Sequence, residues 1–156
     1  MRKKGILSFY KMRDEGDKVT WLTAYDAPTA SLAEQAGIEM LLVGDSVGMC
    51  VYGYDGTNPM TMQTMIPHTA AVRRAAPNTF VIGDMPFLSY QVSSEEAVRN
   101  AGAFVQQAGA DAVKLEGGDA WRIESVRFPT PASSCSPISA SRHKARVNWA
   151  GSRHRA

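Results

Sequence analysis

Between residues 19 and 116, four short runs of strand-forming residues alternate with segments of helical periodicity. This alternation narrows the possible folds more than any other feature of the chain. Val19-Thr20-Trp21-Leu22-Thr23-Ala24-Tyr25 is β-branched and aromatic, which predicts a strand. Met40-Leu41-Leu42-Val43 is an unbroken apolar run, as expected of a strand buried on both faces of a parallel sheet. Thr79-Phe80-Val81-Ile82 and Asp111-Ala112-Val113-Lys114-Leu115-Glu116 complete the set. Asp26 predicts an N-cap for a helix over 27–36, with Pro28 in its first turn and Gly37 as its stop. A long loop is expected over Met49–Pro59. A helix should cover much of Thr61–Ala75, although Pro67 suits a first turn better than a helix middle. Ser93 and Glu96 form a capping-box pattern ahead of Ala97, Val98, Ala101, Phe104, Val105 and Ala108 at helical spacing. Gly109 then ends that helix.

Strands separated by helices pair in parallel through right-handed crossovers. Two α/β architectures satisfy the pattern: a doubly wound sheet, or the first half of a (β/α)8 TIM barrel. A complete barrel takes about 250 residues. This chain has 156 residues, enough for four of the eight units before its character changes. Residues 1–118 carry 10 basic and 13 acidic side chains, whereas 119–156 carry 7 and 2, with seven serines. The overall charge of +2 therefore averages two unlike parts, an N-terminal half-barrel (1–118) and a basic, Ser-rich tail (119–156) expected to be disordered. The tail lacks both period 2 and period 3.6. A basic tail can bind nucleic acid, but a tail without function explains the composition as well, and no nucleic-acid partner is expected. No apolar run reaches the length of a membrane span, and Met1-Arg2-Lys3-Lys4 leads into no signal-peptide core. Two cysteines, Cys50 and Cys135, exclude a disulfide framework, and a reducing cytoplasm is the expected compartment.

Asp45, Asp84 and Glu116 each stand at the C-terminal end of an expected parallel strand. Such ends open on one rim, where ligands bind. Three carboxylates meeting there would repel one another without a cation, and hard oxygen donors suit Mg²⁺. Lys114 lies two residues before Glu116 and shares its face, in reach of a substrate carboxylate. Helix capping and surface charge would explain any one of these acids alone. Gly44-Asp45-Ser46-Val47-Gly48 also matches the G-x-S-x-G nucleophile elbow. That motif needs a helix directly after the serine, where a loop is expected, and a triad histidine, for which His68, His143 and His154 are poorly placed. Cys50 as a nucleophile is weaker still. Met60, Met62 and Met65 fit packing better than a metal box.

Thr23-Ala24-Tyr25-Asp26, Leu42-Val43-Gly44-Asp45-Ser46, Asp84-Met85-Pro86-Phe87 and Val113-Lys114-Leu115-Glu116-Gly117-Gly118 together resemble the ketopantoate hydroxymethyltransferase (3-methyl-2-oxobutanoate hydroxymethyltransferase) family. Tyr54-Asp55-Gly56-Thr57 and His68-Thr69-Ala70-Ala71-Val72-Arg73-Arg74 resemble it too, and Pro67 departs from its larger polar or aromatic residue. The resemblance covers roughly residues 5–118 and implies a (β/α)8 barrel and a role in pantothenate biosynthesis. It implies Mg²⁺ held by Asp45, Asp84 and Glu116, with Asp45, Ser46, Asp84 and Lys114 contacting substrate. It also implies 3-methyl-2-oxobutanoate as substrate, 5,10-methylenetetrahydrofolate as one-carbon donor, 2-dehydropantoate as product, and a homo-oligomer. The general-base glutamate of the family belongs to the second half of the barrel, and no residue here matches it. Within enzymes the nearest alternative is another Mg²⁺-dependent, enolate-forming barrel enzyme. A serine hydrolase using Ser46 and a non-catalytic fragment are the alternatives from other classes.

The end of the resemblance has a readable cause. If each codon of the tail is read from the third base of the one before, few amino acids remain possible at each step. From Thr130 the permitted readings include His-Ile-Gly-Leu-Thr-Pro-Gln-Ser and Leu-Gly-Gly-Phe-Lys, which resemble the next segments of this family. Trp149 has one codon, and with Ala150 it forces a glycine in the shifted frame. A frameshift near Gly118–Trp121, equivalent to the loss of one base, is the expectation. The chain as written is then expected to be inactive.

Overall fold

The computed structural model describes residues 3–116. The tail over 119–156 and the expected frame slip lie outside the described residues.

Nine elements run in order along the described residues: α1 (Ile6–Glu15), β1 (Trp21–Thr23), α2 (Ala27–Gln35), β2 (Met40–Val43), α3 (Val47–Cys50), α4 (Met62–Ala75), β3 (Phe80–Asp84), α5 (Ser94–Ala108) and β4 (Ala112–Lys114). Three of the helices, α2, α4 and α5, start where the sequence supplies a side-chain cap. Asp26 accepts from the Thr29 amide, Thr61 from that of Thr64, and Ser93 from that of Glu96. Gly109 ends α5 at φ +69°, a conformation that disfavours any residue with a Cβ.

The four strands form one parallel sheet in the order β1-β2-β3-β4. Register places Trp21 beside Met40 and Phe80, Thr23 beside Leu42, Ile82 and Ala112, and Asp84 beside Lys114. Residues in register share a face, so these positions line one side of the sheet. On the opposite side Leu41, Val43, Val81 and Val113 pack against Ala30, Ala33, Met65, Val72 and Phe104 of the helices. Gly83 is what lets α5 lie so close. A Cβ there would stand 2.4 Å from Phe104 Cδ1.

Sequence periodicity was informative for β2, whose bounds coincide with the apolar run, and for α5. Three findings differ from expectation. First, α1 is an additional helix that the strand pattern does not announce. It lays Phe9 edge-on against Phe80, ring centroids 5.3 Å apart, and covers the end of the sheet lined by Met40, Phe80, Ile82 and Ala112. Second, the expected loop begins with helix α3, directly after Ser46. Third, Pro67 sits inside α4 on its exposed side. The carbonyl four residues earlier, at the exposed Gln63, loses its helical donor but can be met by water.

β1 has one strand neighbour among the described residues, and so has β4. In a closed barrel every strand has two. The consequence is visible on β1, where Trp21 and Leu22 remain 51% and 43% exposed.

Candidate functional site

Parallel pairing brings the C-terminal ends of all four strands to one rim. Asp84 ends β3 with its carboxylate buried. Lys114 Nζ donates to Asp84 Oδ1 at 2.5 Å, and the Asp45 amide donates to Asp84 Oδ2 at 3.3 Å. Both oxygens are thus engaged, as a buried carboxylate requires. Burial pushes the Asp84 carboxyl above its ordinary range. The Lys114 ammonium pulls back without cancelling that push, and the nearby Asp45 charge adds to it. Burial works to deprotonate Lys114, but the Asp84 carboxylate outweighs it and holds the ammonium above its ordinary pKa. The pair is a fixed charged feature at the floor of the rim.

Ser46 lies beside this pair. A Cβ on Gly44 would meet Ser46 Oγ at 2.8 Å and Asp84 Oδ2 at 3.8 Å, so both oxygens crowd the same point. Only glycine fits there without displacing Ser46 Oγ. The Ser46 hydroxyl shares a 2.8 Å hydrogen bond with the phenol of Tyr25, which also reaches Cys50 Sγ at 3.5 Å. Burial raises the Tyr25 phenol above its ordinary pKa, with the Ser46 hydrogen bond opposing. Tyr25 is anchored in turn, since His68 Nδ1 lies 2.7 Å from its carbonyl oxygen and must be the donor there. His68 Nε2 meets the Tyr52 hydroxyl at 3.1 Å.

The structure therefore brings together Asp45, Ser46, Asp84 and Lys114. Glu116 shares the rim but not the cluster. Its side chain is 80% exposed, 3.6 Å from Lys114 Nζ, two residues past the last paired residue of β4. Among the described residues no group of three His, Cys, Asp or Glu side chains stands close enough to hold a metal ion. The expected three-carboxylate site is thus not preformed, because Lys114 already occupies one oxygen of Asp84 and Glu116 faces water. What fits a hard divalent cation is the Asp45 and Asp84 pair, since Mg²⁺ takes one or two carboxylates and keeps several waters.

Ser46 is not set as a nucleophile elbow. A helix does come directly after Ser46, contrary to expectation. Yet Ser46 adopts an ordinary right-handed helical conformation rather than a strained one, and its hydroxyl bonds a phenol, not an imidazole. Both nitrogens of His68 are engaged elsewhere. His143 and His154 lie outside the described residues. Tyr25, His68 and Tyr52 were missed as site neighbours. Tyr25 stands within a motif that singled out the family, but nothing local ties it to Ser46.

Comparison with known proteins fits this geometry. The family model for ketopantoate hydroxymethyltransferase matches residues 3–133. The match runs past Gly118, where the motif resemblance was expected to stop. A 3-methyl-2-oxobutanoate hydroxymethyltransferase of Alkaliphilus metalliredigens is 64% identical over 132 residues, covering 84% of this chain and 46% of that protein. The chain thus spans about half the length of the curated relatives it matches. Among solved structures, phosphonopyruvate hydrolase in complex with oxalate and Mg²⁺ superposes with TM-score 0.55 at 20% identity, over 69% of this chain and 36% of that one. A 2,3-dimethylmalate lyase of the PEP mutase/isocitrate lyase superfamily gives 0.52 at 19%, over 69% and 38%. These likenesses show the fold, and four consecutive parallel units correspond to the first half of a (β/α)8 barrel.

Proposed function

This chain belongs to the ketopantoate hydroxymethyltransferase family, and from that premise we propose that its rim is the keto-acid half of a hydroxymethyl-transfer site. The whole enzyme would move a hydroxymethyl group from 5,10-methylenetetrahydrofolate to 3-methyl-2-oxobutanoate, giving 2-dehydropantoate for pantothenate biosynthesis. The observation that carries this reading is the convergence of Ser46, the Asp45 amide and the buried Asp84–Lys114 pair at the strand ends.

At that rim Lys114 offers a positive charge to the substrate carboxylate, and Ser46 offers a hydroxyl proton. Asp84 fixes Lys114 from below and keeps its ammonium charged. Asp45 and Asp84 would hold Mg²⁺, with Glu116 as the third ligand that the family resemblance adds. When bound, Mg²⁺ supplies Lewis-acid polarisation of the keto group, which makes the proton on C3 removable. None of the described residues is assigned as the base that takes that proton. The resemblance places it on a glutamate of the second barrel half, outside the described residues, whose own part is to bind and orient the keto acid. The cytoplasm and assembly as a homo-oligomer belong to the same proposal. Among the described residues no helix is long and apolar enough to cross a membrane.

Titration calorimetry of 3-methyl-2-oxobutanoate into the chain with Mg²⁺ tests this. Binding that disappears in Asp84→Asn is expected. A wild-type chain that binds no keto acid, with or without Mg²⁺, would overturn it.

A further inference from the structure

Ser46 is held by more than its own backbone. Tyr25 lies just beyond β1, two residues after Thr23, and its main chain is pinned on every side. The Ala24 amide before it donates to Leu42 O at 3.0 Å, continuing the pairing with β2. Asp26 after it caps α2 through the Thr29 amide at 2.7 Å. The Tyr25 carbonyl itself is held by His68 of α4, whose second ring nitrogen is held by Tyr52. A side chain on so fixed a backbone presents its phenol at a defined point. That point is 2.8 Å from Ser46 Oγ.

A lone serine hydroxyl rotates freely and can donate its proton in several directions. A phenol fixed at 2.8 Å on one side, itself also bonded to Cys50 Sγ at 3.5 Å, restricts that rotation. We propose that Tyr25 is a positioning residue: its phenol holds Ser46 Oγ in one rotamer at the rim, beside the buried Asp84, where the Ser46 hydroxyl meets the carboxylate of a bound 2-keto acid. The inference rests on the proposal that Ser46 contacts the keto acid. It accounts for a tyrosine at this point, since phenylalanine would fill the same volume without the hydroxyl. Tyr25 touches no reacting atom and acts only through Ser46.

Two measurements on the full chain separate this inference from the keto-acid reading. The first needs no ligand. Three-bond Hα–Hβ couplings of Ser46 are expected to report one rotamer in the wild type and averaged rotamers in Tyr25→Phe. A single Ser46 rotamer retained in Tyr25→Phe overturns the proposal. The second is a calorimetric cycle with 3-methyl-2-oxobutanoate and Mg²⁺. Tyr25→Phe is expected to weaken binding about three- to tenfold, the range of one neutral hydrogen bond. Ser46→Ala should weaken it at least as much, and the double variant no further than Ser46→Ala alone. Additive losses, or wild-type affinity in Tyr25→Phe, overturn the proposal. An unchanged thermal unfolding midpoint in Tyr25→Phe separates positioning from a merely structural role. If the wild type binds no keto acid while Tyr25→Phe frees the Ser46 rotamer, the keto-acid reading fails and the hold of Tyr25 on Ser46 stands.

Discussion

Two residues at the rim have roles that their identities alone would not suggest. Gly44 matters through the atom it lacks: Gly44→Ala places a methyl group 2.8 Å from Ser46 Oγ and must displace it. Keto-acid binding is expected to fall more than tenfold in Gly44→Ala, with a far-ultraviolet circular dichroism spectrum like that of the wild type. Lys114 matters as the partner of a buried charge. Lys114→Met leaves the Asp84 carboxylate buried and unpaired, which costs about 3–5 kcal/mol for a fully buried pair. Lys114 keeps a third of its side chain in water, so about 1–3 kcal/mol is the expected loss, read from urea unfolding. The double change Lys114→Met with Asp84→Asn should recover part of it, because no charge is then stranded.

Between elements, the contacts that hold the half-barrel together are few and specific. α1 shields the inner face of the sheet chiefly through Phe9, which is 5% exposed. Phe9→Ala should cost about 3–5 kcal/mol, a large share of the stability of so small a unit, and chemical denaturation will read it. α2 is tied to the turn before β3 by Glu34, whose carboxylate accepts from the Asn78 amide at 2.8 Å, the Asn78 side chain at 3.1 Å and the Thr79 hydroxyl at 3.0 Å. Burial pushes the Glu34 pKa up, but these donors outweigh it and the net shift is downward. A folded-state pKa below the unfolded one means the stabilisation is fully present above about pH 4.3, the ordinary glutamate value. It is lost as pH falls through the lowered pKa of the folded state. Unfolding midpoints measured below pH 5 should therefore decline less steeply in Glu34→Gln than in the wild type.

At the scale of the molecule, the four described strands leave two sheet edges unpaired among the described residues. Trp21 and Leu22 on β1 stay wet, and both edge strands offer unpaired backbone groups among the described residues. Sedimentation velocity is expected to show association that grows with concentration. The coding DNA tests the expected frame slip. The shifted reading begins at Thr130 and the in-frame family match reaches residue 133, so sequencing should cover codons 118 to about 133. A lost base is expected within that stretch. Restoring it should raise ketopantoate formation from 3-methyl-2-oxobutanoate and methylenetetrahydrofolate by at least the roughly 10²–10⁴-fold that a general base typically contributes. Equal turnover by both forms would refute the frame slip and the assignment of the base to the second half.

Much of this architecture is legible in one dimension. The unbroken run Met40–Val43 announces a strand buried on both faces, and Ser93 with Glu96 announces the start of α5, because burial periodicity and capping act over a few neighbouring residues. Strand ends likewise place Asp45, Asp84 and Glu116 on one rim, since parallel pairing is the consequence of strand and helix taking turns. Which of those acids meet is not legible. Lys114 reaches Asp84 from 30 residues away in sequence, Tyr25 reaches Ser46 from 21, and Glu116 turns to water. α1 is hidden for the same reason: Phe9 gains its burial from Met40, Phe80, Ile82 and Ala112, on strands far along the chain. Such contacts depend on how the sheet stacks its strands and where each side chain then finds room, and no local preference encodes that.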